Sequence, residues 1–101
     1  MPKGYWVARV DVHDVEGYKR DYVAFNGPVF AKYGAKFLVR AGKYEGPEGQ
    51  SRSRNVVIEF KDYETALACY HSPEYQALVA KRKPHAENDL TIVEGYDGPQ
   101  P

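Results

Sequence analysis

Three strand-like segments of this chain each carry a charge inside an otherwise apolar run: Arg9 within Tyr5–Val12, Arg40 within Phe37–Arg40 and Glu59 within Val56–Phe60. Side chains alternate faces along a strand, so each run divides into two sets. Trp6, Ala8, Val10, Phe37, Val39, Val56, Ile58 and Phe60 form one fully apolar face. Val7, Arg9, Leu38, Arg40, Val57 and Glu59 form a second face that is half apolar and half ionic. Such a face is too apolar for water and too charged for a core. It is the mark of a surface that another body covers, leaving a polar pocket at the junction.

The remaining constraints are mostly exclusions. A chain of 101 residues is expected to form one domain over residues 1–101. Fourteen Lys and Arg balance fourteen Asp and Glu, so no general field draws in nucleic acid or an anionic membrane. No apolar run approaches the ~20 residues of a membrane span, and no signal-peptide core opens the sequence, so a cytoplasmic location is expected. The single cysteine, Cys69, excludes an internal disulfide, a four-cysteine iron–sulfur cluster and a cysteine-rich zinc site. There is no phosphate-binding glycine loop, GxSxG elbow, HExxH or paired CxxC, and no cofactor is expected.

The element order follows from periodicity and capping signals. A strand runs from about Gly4 to Val12, and Asp14 is a helix N-cap. Tyr18, Tyr22, Phe25, Val29 and Tyr33 lie on one helical stripe, which Asn26-Gly27-Pro28 is expected to kink or restart. Gly34 stands at the C-cap. A second strand is read over Lys36–Tyr44, then a flexible loop over about 45–54, then a third strand over Asn55–Phe60. Asp62 caps a second helix, and Ser72-Pro73 starts a third that carries Tyr75, Leu78 and Val79 inward. Pro84 ends it, Leu90–Tyr96 is the last strand, and residues from about 97 to 101 form an extended or disordered tail.

The order β-α-β-β-α(α)-β predicts an α+β, ferredoxin-like sandwich, with a four-stranded antiparallel sheet and helices on one face. The other face, with Val7, Leu38 and Val57, would be left bare. Face-to-face pairing with a second copy hides it, so a homodimer through the sheet face is expected, with the pocket between the sheet and the partner. The same order builds RNA-recognition modules, but Asn55–Phe60 lacks the glycine–aromatic pattern that stacks bases.

Read along its length, the sequence resembles the domain-of-unknown-function family 1330 of the dimeric α/β-barrel superfamily. The residues that carry this are Gly4-Tyr5-Trp6 with Ala8-Arg9-Val10, Tyr33–Arg40, Val57-Ile58-Glu59-Phe60, Cys69–Gln76 and Val93-Glu94-Gly95-Tyr96. The chain has Ala35 and Ala41 where members often have glycine. The resemblance implies the fold and the homodimer, and no activity. The wider superfamily includes cofactor-free monooxygenases, muconolactone-isomerase-like enzymes and haem-degrading proteins, so an enzyme follows by analogy.

The candidate chemistry rests on a few side chains. Arg9 and Arg40 can fork onto a small anionic ligand, with Glu59 orienting one of them; the alternative is an ion pair that sets strand register. His71, in the break before Ser72, is the candidate proton-transfer residue, and a merely capping histidine is the alternative. Asn26 and Tyr70 are candidate ligand contacts, while His13 and His85 read as surface residues and Cys69 as a small buried hydrophobe. The leading reading is a cofactor-independent enzyme acting on a small organic acid or oxygenated ring compound. Its alternatives are a non-catalytic small-ligand or stress-response protein and a dimeric scaffold without ligand.

Overall fold

The computed structural model describes residues 2–101. Its elements are β1 (Gly4–Val12), α1 (Val15–Tyr18), a π-helical turn (Lys19–Val23), α2 (Ala24–Lys32), β2 (Lys36–Arg40), β3 (Arg54–Phe60), α3 (Tyr63–His71), α4 (Pro73–Arg82) and β4 (Ala86–Glu94). The strands form one antiparallel sheet in the order β2-β3-β1-β4, the ferredoxin-like arrangement. All helices lie on one face, and the core forms between them and Trp6, Val10, Val56, Ile58 and Phe60.

Local chemistry sets most of the boundaries. The Asp14 and Asp62 carboxylates accept from the backbone N–H of Gly17 and Thr65, capping α1 and α3 as expected. Gly34, with φ 68°, follows α2 in the left-handed region, and its N–H reaches back to the Ala31 carbonyl. Ser72 joins α3 to α4: its hydroxyl donates to the Cys69 carbonyl at 2.8 Å and accepts from the Tyr75 N–H at 3.1 Å. Pro73 occupies the first turn of α4, where its missing N–H costs no hydrogen bond.

Four expectations are corrected. Phe25 leaves the expected stripe, being 55% exposed while Asn26 and Phe30 are buried, and Val29 and Tyr33 pack only partly against the core. The π-helical turn inserts one residue into the helical period, so the inward series becomes Tyr18, Tyr22, Asn26 and Phe30. Pro28 lies inside α2 without ending it. Strand β2 stops at Arg40 rather than Tyr44 because Ala41 turns left-handed, φ 56°. Strand β4 starts at Ala86, four residues before Leu90, because Glu87, Asn88 and Asp89 pair along β1 despite their polarity.

The most consequential departure is a bulge in β2. Phe37 pairs with Ile58, but Val39 pairs with Val57 and Arg40 with Val56, which leaves Leu38 as an extra residue. A slip of one residue reverses the faces of everything beyond it. Val39 therefore joins the bare face, and Arg40 turns to the helix side, where its guanidinium lies 4.3 Å from the Phe37 ring centre. Arg9 and Arg40 do not share a face.

The segment before β3 is held against the sheet. Arg52 Nε donates to Asp89 Oδ2 at 2.9 Å, and its NH1 reaches Asp11 Oδ2 at 2.9 Å and Glu87 Oε2 at 3.2 Å. The Ser53 N–H adds a bond to Asp11 at 3.1 Å. These bonds strap the loop over one end of the face that the helices leave uncovered.

Because Ser72 is buried and satisfies one group on each flanking helix, Ser72→Ala should lower stability by about 1–2 kcal/mol. Urea unfolding followed by tryptophan fluorescence measures this, and an unchanged midpoint with an unchanged slope would remove the junction from the account of stability.

Candidate functional site

The inner face of the sheet and the covering helices enclose a cavity of ≈ 40 Å³. A volume of this size takes a few water-sized groups or the polar head of a larger molecule. Trp6, Val10, Phe30, Val56 and Ile58 supply apolar wall, and Tyr18, Tyr22, Asn26, Arg40, Arg54, Tyr75 and Asn88 supply polar lining. Arg40 is the one exposed residue of the lining and marks its opening. Arg54 also borders an adjoining outer groove with Val12, Val15, Tyr18, Lys19 and Val23, of ≈ 240 Å³.

The charge balance of this lining is one-sided. It contains two guanidinium groups and no carboxylate. A third arginine, Arg82, is buried behind it. None of Arg40, Arg54 and Arg82 has a carboxylate oxygen within 4.0 Å among the described residues. Arg82 instead donates to the Tyr75 hydroxyl at 3.0 Å, and Tyr75 shares a 2.6 Å hydrogen bond with Tyr22. The Tyr75 hydroxyl accepts from Arg82 and either gives its own proton to Tyr22 or accepts the Tyr22 proton as well. The Arg54 guanidinium lies 5.8 Å from the Tyr18 ring centre, and its Nε is buried with no hydrogen-bond partner among the described residues. The same is true of Asn88 Oδ1.

Tyr75 and Tyr18 are held protonated. Burial raises the Tyr75 phenol, reinforced by the neighbouring Tyr22 and moderated by Arg82. Burial likewise raises Tyr18, with Tyr22 adding and Arg54 opposing. Both hydroxyls can therefore donate hydrogen bonds at neutral pH, but neither is a base. Burial also pushes the Cys69 thiol up to about 12, so it is no nucleophile.

Of the residues singled out from the sequence, only Asn26 and Arg40 come together, both at this cavity. Arg9 lies on the opposite face, where NH1 donates to the Gln50 carbonyl at 3.3 Å and NH2 is 3.8 Å from Asp89. The Arg9 side chain stays half exposed, with the chain's own loop beside it. Glu59, also on the opposite face, orients neither arginine; it accepts from the Tyr5 hydroxyl at 3.3 Å, its cross-strand neighbour. His71 is the exposed last residue of α3, packed edge-on to Tyr70 and outside the cavity lining. The break between the helices falls one residue later, at Ser72, so the imidazole stays on the outside. Tyr70 packs on Trp6 as part of the core and does not reach the lining.

Sequence reasoning missed Arg54, Arg82, Tyr75 and Asn88 as site residues, because each looks like an ordinary strand or helix position. It also misplaced His85, which is 13% exposed rather than on the surface. Its Nδ1 faces Asp14 at 3.2 Å and its Nε2 faces Asp21 at 2.9 Å. Gly17 permits this approach, since a Cβ there would lie 2.5 Å from the imidazole. The clamp ties the start of β4 to the π-helical turn that carries Tyr22 into the cavity. Among the described residues no group of three or more His, Cys, Asp or Glu is placed to hold a metal ion, and no helix is long and apolar enough to cross a membrane.

The family model described as a domain of unknown function, DUF1330, matches residues 3–96. A protein of unknown function from Rhodopseudomonas palustris, RPA0582, superposes with a TM-score of 0.70 at 16% identity, over 96% of this chain and 85% of that one. SnoaB, a cofactor-independent oxygenase from Streptomyces nogalater, gives a TM-score of 0.65 at 13% identity, over 97% of each chain. An ethyl tert-butyl ether degradation (ethd) family protein from Bacillus halodurans gives 0.58 at 17% identity, over 95% of this chain and 100% of that one. At these identities the likeness is one of fold. No curated protein matches the sequence.

The clamp on the π-helical turn makes a prediction about acid. A hydrogen bond from Arg20, then one from His85, lowers the Asp21 carboxyl from 3.8 to about 2. A carboxyl that ionises more readily when folded adds stability above the ordinary carboxylate range, and that stability is lost as pH falls towards about 2. Melting temperature should therefore fall between about pH 4 and 2 by less in Asp21→Asn than in the wild type. Parallel curves for the two proteins would show that Asp21 does not hold the turn.

Proposed function

The chain belongs to the DUF1330 family, and from its arginine-lined cavity we propose that it binds a small anionic ring compound, a carboxylic acid or an ionised phenol or enol. The single observation behind this is that Arg40, at the opening, and the half-buried Arg54 border a cavity with no carboxylate in its lining. A cation held in a partly buried site without a partner destabilises the protein until an anion arrives. Guanidinium groups suit this task because they are always charged and present a planar fork of donors. The aromatic walls of Trp6, Tyr18, Phe30 and Phe37 suit a flat ligand. The ligand's polar head would sit in the cavity, and the rest would extend past Arg40 or into the outer groove behind Arg54.

The reaction that fits such a site needs no cofactor. Two guanidinium groups favour the ionised form of an enol or phenol, and the protonated tyrosines offer donors rather than a base. The substrate would therefore lose its proton to water before or during entry. An electron-rich carbanion adds directly to O₂, forming a C–O bond and, after protonation, a hydroperoxide. Loss of water then leaves a carbonyl, so a CH₂ group and one O₂ give C=O and one H₂O. SnoaB, an oxygenase that works without a cofactor, lends this step its plausibility on the same fold.

A second copy of the chain is the partner we propose for the bare face. Val7, Leu38, Val39 and Val93 are each 39–47% exposed there, beyond the end that the loop covers. Light scattering should return twice the mass of one chain at micromolar concentration, and Val7→Asp should halve it. A wild type that stays at the mass of one chain would remove the dimer.

The anion reading is tested with thermal shifts for a panel of small carboxylates and phenols. Arg54→Met should weaken the best ligand about 10–100-fold, the effect of losing a hydrogen bond to a charged group. Without ligand it should melt no lower than the wild type, because it removes an unpaired buried charge. A panel without a single hit, or a variant that keeps full ligand affinity, would overturn the proposal. Oxygen consumption with the strongest ligand then separates an oxygenase from a binding protein.

A further inference from the structure

Two residues of the cavity lining each carry a buried polar atom with no partner among the described residues: Arg54 Nε, a donor, and Asn88 Oδ1, an acceptor. Buried polar groups are nearly always hydrogen-bonded, so each such exception requires a reason. These two are related by the sheet. Val10 on β1 pairs with Arg54 on β3 and with Asn88 on β4, so all three stand in one row across the sheet. Pairing by register puts them on the same inner face, and all three line the same cavity. Arg54 and Asn88 thus flank Val10 and present opposite hydrogen-bonding character to one space.

An anion alone does not answer this arrangement. A carboxylate or phenolate oxygen satisfies Arg54, but it has no proton to offer Asn88. A purely accepting ligand would leave the Asn88 oxygen as unpaired as it is in the unliganded protein. A lone acceptor buried without a partner costs as much as a hydrogen bond gains. Of the remaining polar groups of the lining, Arg40 offers only donors, the tyrosine hydroxyls donate or accept, and the Asn26 amide offers both characters. Among the acceptors of the lining, the Asn88 oxygen is the one that burial leaves without a partner, so a ligand that can donate gains most there.

Resting on the anion-binding reading above, we propose that Asn88 makes the cavity selective for acids that also carry a hydroxyl or N–H, with the anionic oxygen on Arg54 and the donor on Asn88. The substrate class is then a hydroxy-substituted ring acid or a ring with adjacent ionised and protonated oxygens, rather than a simple carboxylate. A site built to bond a hydroxyl discriminates strongly against the analogue that lacks it, because its own buried group is left unpaired. Arg54 supplies affinity for the class, and Asn88 supplies the choice within it.

The probes are benzoate, its three monohydroxy isomers and the corresponding methoxy compounds, titrated by calorimetry against the wild-type protein. The best hydroxybenzoate should bind at least tenfold tighter than benzoate, and its methoxy analogue, which cannot donate, should lose that gain. Asn88→Leu should erase the hydroxyl preference, binding benzoate and the hydroxy isomer within about twofold of each other; should leucine not fold, Asn88→Ala carries the same expectation. Arg54→Met should weaken all of them together. Equal binding of benzoate and every hydroxy isomer by the wild type, or a hydroxyl preference that survives at position 88 variants, would overturn the selectivity while leaving the anion reading in place. Binding of none of these acids would overturn both.

Discussion

The Trp6 indole is the point through which the sheet and helices are joined. It is 2% exposed, and its N–H donates to the Ala66 carbonyl inside α3 at 2.8 Å. A buried indole needs such a partner, because its one polar group would otherwise cancel much of what its area gains. The ring meets Phe30 on α2, Tyr70 on α3 and Tyr75 on α4 edge-on, with centroid distances of 5.5, 5.8 and 4.9 Å. One residue of β1 thus fixes where three helices sit. It also forms part of the cavity wall, so the geometry of the cavity depends on the same packing as the stability of the fold.

Two insertions of a single residue then decide which side chains face the cavity. The π-helical turn before α2 moves the inward position from Phe25 to Asn26, and the bulge at Leu38 turns Arg40 from the bare face to the helix face. Neither changes the order of elements. The four strands, the Asp14, Asp62 and Ser72 caps and the Gly34 stop were all legible, because each rests on a period or on a residue type with one local role. The site was not legible in the same way. Period-based reading assumes an unbroken repeat, and one extra residue inverts every assignment beyond it. Ala41 at φ 56° and the Leu38 bulge before it are tertiary choices that no propensity marks.

The opposite face shows the reverse case, in which charge was visible but its partners were not. Arg9 looked like half of an anion fork because strand alternation placed it on one face with Arg40. Its partners come from residues 41 and 80 positions away, the Gln50 carbonyl and Asp89. Arg52 draws Asp11, Glu87 and Asp89 into one network, so both strands flanking that end are pinned by a single guanidinium. Here cations and carboxylates balance locally, and the ionic residues of this face serve structure.

That contrast is what identifies the cavity. The chain has equal numbers of acidic and basic residues, yet it distributes them unequally: carboxylates gather around Arg52 and His85, while Arg40, Arg54 and Arg82 have none. Selection for stability alone would remove unpaired cations from a wall of tyrosines, since apolar residues of similar volume usually do as well or better there. Retaining them is intelligible when the missing charge arrives with a ligand. On the binding proposal, the free energy withheld from folding at Arg54 and Asn88 would be returned on binding, and the same two atoms would select the ligand.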